Sequence, residues 1–109
     1  MKRPILREVI HGLNADGTHV EIVVEVGVLS RYKGRPDEWT CTLKAPTRHY
    51  PNAPIHGASA LQALSLALSS VRMALTHFRE DGGKLGQEIG EDDYDIDSTF
   101  GVSHLARKP

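Results

Sequence analysis

Residues 60–79 are the stretch around which the rest of this chain must be arranged, because their apolar residues recur at helical spacing over five turns. Leu61, Leu64, Leu68, Val71, Leu75 and Phe78 follow one another three and four residues apart. At about 100° per residue they share one stripe. Ser59 is suited to cap the first turn. Gln62 sits three residues on, where a capping box needs it. Asp81-Gly82-Gly83 supplies the stop. Ala60, Ala63, Ala67 and Ala74 widen the stripe on one flank, where small side chains admit a second backbone. Leu66 and Met73 fall nearly opposite the stripe, one heptad apart, with Ser70 between them and His77 one turn beyond. Two exposed apolar side chains are ordinary on a surface helix. A helix apolar on several sides is commonly covered on several sides. Leu66, Ser70, Met73 and His77 are therefore a candidate interface with a second copy, a partner or the C-terminal tail.

The other regular segments read as strands. Residues 5–11 are rich in apolar and β-branched types, and Asp16-Gly17 marks a turn. In residues 18–29, Val20, Ile22, Val24, Val26 and Val28 recur every second residue, the period of a half-buried strand. Residues 30–37 contain Gly34 and Pro36 and read as a loop. Residues 38–45 alternate again, with Trp39, Cys41, Leu43 and Ala45 on one face. Residues 46–57 hold three prolines and are expected to be an irregular crossing into the helix. Residues 84–90 are a candidate fourth strand. The expected fold is two-layer α+β: an antiparallel meander of three to four strands packed against one long helix. Residues 1–90 are expected to form a single domain, with 91–109 an acidic C-terminal tail.

A chain of 109 residues with 25% charged residues and a net charge of −1 belongs to the ordinary globular class. Near-balance of charge gives no footing for nucleic-acid binding, which needs a basic excess or stripe. The basic loop Arg31, Tyr32, Lys33, Arg35 is too small to change that. The N-terminus MKRPILREVIHG lacks a continuous apolar run, so no signal peptide is expected. Serines and Arg72 interrupt the helix, so no membrane span is expected, and a cytoplasmic location is the default. One cysteine, Cys41, permits no internal disulfide. Lying mid-strand between Trp39 and Leu43, it reads as a small buried hydrophobe.

Little in the chain points to chemistry. The six histidines include no HxH or HxxxH pair, so neither a metal nor another cofactor is expected. Asp93, Asp95 and Asp97 match the opening of an EF-hand loop. The sixth and twelfth positions are Ser98 and His104, where Gly and Glu are needed. Gly82-Gly83-Lys84 follows a helix and opens none, so it is no phosphate loop. No G-x-S-x-G elbow occurs, and no catalytic residue is assigned. His49, Tyr50 and His56 flank the proline-rich loop and are candidate polar groups for a ligand groove between that loop and the helix.

The strand EWTCTLKA, followed after a loop by IHGASALQALSLAL, resembles a small bacterial family of unknown function. That family has a Trp-x-Cys strand followed by a Leu-Gln-Ala-Leu helix start. The corresponding residues here are Trp39, Cys41, Leu43 and Lys44, then Gly57, Ser59, Ala60, Leu61, Gln62, Ala63, Leu64, Leu66, Ala67 and Leu68. Ser59 stands where the family often has Asp, and Gly86-Gln87 where it tends to have an aromatic. The resemblance implies a bacterial α+β domain and carries no activity with it. The functional expectation is a non-enzymatic protein-interaction module, either a homodimer or an accessory, immunity-like partner binder. The alternative is a small-ligand binder or minor enzyme using the loop–helix groove.

Overall fold

The computed structural model describes residues 3–45 and 53–101. The elements follow in the order β1 (Leu6–Leu13), β2 (His19–Tyr32), β3 (Arg35–Lys44), β4 (Ala53–Gly57), α1 (Ala60–Glu80), β5 (Lys84–Gly86) and α2 (Ile96–Thr99). The five strands form one antiparallel sheet in the order β4-β3-β2-β1-β5, with α1 packed across one face. The architecture is the expected two-layer α+β arrangement, but the sheet is larger than the expected three to four strands.

The extra strand lies inside the stretch read as an irregular crossing. Pro54 sits on β4 at the sheet edge, where a missing N–H breaks no ladder. Ile55 pairs with Cys41 and His56 with Thr40. Residues 30–37 are also more regular than a loop. β2 runs on to Tyr32 and β3 begins at Arg35, leaving only Lys33-Gly34 as the turn. At the first hairpin, Gly17 holds a positive φ of 90°. The Thr18 N–H and hydroxyl both donate to Asp16 Oδ1, at 2.9 and 2.6 Å.

A β-bulge decides which residues of β2 face the helix. Val26 pairs with Leu43 and Leu29 with Cys41, so Gly27 and Val28 together oppose Thr42 alone. The extra residue inverts the alternation. Ile22, Val24 and Val26 point into the core, but Val28, expected on the same face, is turned outward and is 52% exposed. Leu29 packs against the core in its place. Cys41 is fully buried beside this bulge, its Sγ 3.9 Å from the Gly27 carbonyl. Burial pushes its thiol pKa up.

α1 is rotated from the expected orientation. Its buried line is Ala63, Ala67, Val71, Ala74 and Leu75. Leu64, Leu68 and Phe78 are partly buried beside it, and Leu61 is 73% exposed. The alanine flank is spent inside the molecule. A Cβ built on Gly57 would lie 2.5 Å from the Ala63 nitrogen, so β4 and the first turn of α1 meet backbone to backbone. Ser59 Oγ accepts the Gln62 N–H at 3.0 Å. The Gln62 side chain reaches back to the Ala58 N–H, one residue before the expected box partner. At the other end, Gly83 N–H donates to the Phe78 carbonyl and Gly82 N–H to that of Arg79, a complete Schellman stop.

The boundary expected at residue 90 does not separate domain from tail. Tyr94 is 5% exposed, Ile96 is buried, and Phe100 packs against the core. Arg79 holds this segment in place, its guanidinium 2.6 Å from the Tyr94 carbonyl and 3.1 Å from Asp92. Residues 102–109, the rest of the expected tail, lie outside the described residues.

Candidate functional site

The outer face of the sheet is mixed, with Val28 exposed among polar and charged side chains. Arg7 pairs across β1–β2 with Glu25, and Glu25 across β2–β3 with Lys44. Opposite charges placed directly across strands stabilise this register. Ser30 and Thr40 hydroxyls meet at 3.2 Å on the same face. His56 belongs here too, because its cross-strand neighbour Thr40 points away from the helix. It lies 3.6 Å from Glu38 and makes an edge contact with the Tyr32 ring at 5.1 Å. It is thus on the opposite side of the sheet from α1. His49 and Tyr50, the other residues of the expected loop–helix groove, lie outside the described residues.

The exposed side of α1 is different in character. From Ala60 to Phe78 its one Asp, Glu, Lys or Arg is Arg72, which bonds Asp97 at 3.2 Å. Leu66 is 45% exposed and Met73 47% exposed. Ser70 lies between them and donates to the Leu66 carbonyl at 3.0 Å, so its hydroxyl is satisfied within the helix. His77, half-buried, ends the same stripe, with Glu80 4.0 Å away. The four residues singled out in the sequence therefore share one uncharged, partly apolar strip.

A second feature was not read from the sequence. On the other flank of α1 a groove of about 660 Å³ opens between the helix, the first half of β1 and the segment after β5. Leu6, Ile10 and Val24 line it from the sheet, Leu68 and Val71 from the helix, and Tyr94 and Phe100 from the far wall. Glu8 and Arg72 are its charged side chains. The sequence signal was Glu8 itself, a carboxylate in phase with Leu6 and Ile10 on the core side of β1.

The carboxylates of the EF-hand-like run are each engaged by the fold. Asp93 accepts the Gln87 N–H at 3.1 Å, Asp95 caps α2 through the Ser98 N–H at 3.0 Å, and Asp97 pairs with Arg72. Among the described residues no group of three His, Cys, Asp or Glu side chains is placed to hold a metal ion. Arg31 of the basic hairpin stacks on Trp39, 5.1 Å from the ring centre. Among the described residues no helix is long and apolar enough to cross a membrane. Compared with known proteins, the chain matches no family model, no curated sequence and no solved structure.

Proposed function

We propose that this protein is a non-enzymatic interaction module that self-associates through the exposed strip of α1. The observation that carries this reading is the uncharged strip itself. A surface helix ordinarily presents charged side chains to water, whereas this one presents Leu66, Ser70 and Met73. Leu66 and Met73 are equidistant from the midpoint between Ser69 and Ser70. A two-fold axis there sets each Leu66 against the Met73 of the other copy, a self-complementary contact. Because Ser70 bonds its own helix, close packing over it strands no polar group.

α1 is about 31 Å long at 1.5 Å per residue. A helix pair of that length falls at the small end of specific interfaces, near about 1,200 Å². A concentration-dependent dimer of micromolar affinity is the expected outcome. Light scattering over a dilution series tests it, with a Leu66→Asp, Met73→Asp double variant alongside. Mass should rise toward two chains in the wild type and remain at one chain in the variant. A mass of one chain at every concentration, or a dimer indifferent to both substitutions, would reject self-association through this strip.

A further inference from the structure

The groove on the opposite flank of α1 carries a carboxylate on its sheet wall. Glu8 stands between Leu6 and Ile10 on the helix-facing side of β1, exposed at the groove. We propose that the groove binds a small apolar molecule bearing a protonated amine, with the Glu8 carboxylate accepting its N–H groups.

The groove volume, about 660 Å³, lies within the usual range for small-molecule sites, roughly 300–1,000 Å³. Its walls are mainly apolar, which suits a hydrocarbon or aromatic body. Its charge balance favours a cation. Arg72 is matched by Asp97 at 3.2 Å. Among the described residues, no cationic side chain lies within ion-pair distance of Glu8. A carboxylate ligand would face Glu8 and would have to take Arg72 from Asp97.

Burial, with the nearby charge of Glu8, pushes the Tyr94 pKa up and keeps it a neutral phenol. A carboxylate beside an apolar wall matches an ammonium group, which has only donors.

The test uses ¹⁵N-labelled protein titrated with 4-phenylbutylamine, 4-phenylbutyrate and 4-phenylbutan-1-ol. The amine should give saturable amide shifts confined to residues 6–10, 68–72 and 94–101. The carboxylate should bind at least tenfold more weakly, with the alcohol between them. Glu8→Gln, at an exposed position, should leave the reference spectrum folded and weaken the amine at least tenfold. Equal binding of amine and carboxylate, an unchanged Glu8→Gln, or shifts that do not saturate would each overturn the assignment. So would shifts in the same residues on raising protein concentration alone, which would give the groove to a second copy.

Discussion

Arg79 is the tie between the helix and the segment that forms the far wall of the groove, and its replacement by Met should show how much that tie contributes. The side chain is about one-third exposed and, besides a long 3.4 Å bond to the Leu85 carbonyl, makes two kinds of contact. One is the ion pair with Asp92, whose own side chain is nearly half exposed. Solvent screening limits such a pair to about 0.5 kcal/mol. The other is the 2.6 Å bond to the carbonyl of buried Tyr94. A charged donor on a partly buried carbonyl contributes about 1.5–3 kcal/mol. Arg79→Met keeps most of the apolar stem, so the expected loss is about 2–3.5 kcal/mol. With a urea m-value of about 1.5 kcal/mol/M for a domain of this size, the midpoint should fall by about 1.3–2.3 M. Trp39 fluorescence follows the transition. Asp92→Asn separates the two contacts, because it removes the charge but leaves an oxygen for the Leu85 N–H, now bonded at 2.9 Å. It should cost only about 0.5 kcal/mol. A midpoint shift below about 0.3 M for Arg79→Met, or an equal shift for Asp92→Asn, would refute the assignment of the main effect to the carbonyl bond.

Gly57→Ala should destabilise by about 2 kcal/mol or more, since the added methyl meets the backbone of Ala63 and β4 or the helix must move; a chemical melt within 0.5 kcal/mol of wild type would contradict that contact. The Leu85 N–H bond, aided by the Arg79 charge, holds the Asp92 carboxyl below its ordinary value. The stabilisation it supplies is therefore complete above about pH 4, the unfolded carboxylate range. It is lost as pH falls through the depressed folded value. Melting temperature should drop less steeply between pH 5 and pH 2 in Asp92→Asn than in wild type. Cys41 should react with a thiol reagent only at the rate of unfolding, because it is fully buried and its thiol is pushed up; fast labelling of the native protein would show that the bulge region opens.

The helix and its ends were legible because their signals are local. Ser59, Gln62 and the two glycines after Asp81 act within a turn or two of themselves, and the three-four spacing needs no partner to be read. The period-2 runs of β2 and β3 were legible for the same reason. β4 was not, since three prolines nearby mark a loop and only the edge of an existing sheet makes Ala53–Gly57 a strand. Leu66, Ser70, Met73 and His77 could be placed together from helical geometry alone. The groove could not, because its walls come from strand, helix and C-terminal segment, and no single window contains them.

The sequence by itself therefore determined the class of fold, one helix across an antiparallel sheet, since propensity, periodicity and caps are written in neighbouring residues. Tertiary structure alone decided which faces those elements show. One extra residue in the β2–β3 ladder sent Val28 outward and drew Leu29 in. Gly57 lies close against Ala63, and the helix sets the alanine row together with Val71 and Leu75 onto the sheet, leaving Leu61 outside. Both outcomes depend on a residue's neighbours across the sheet, and that information lies far away along the chain.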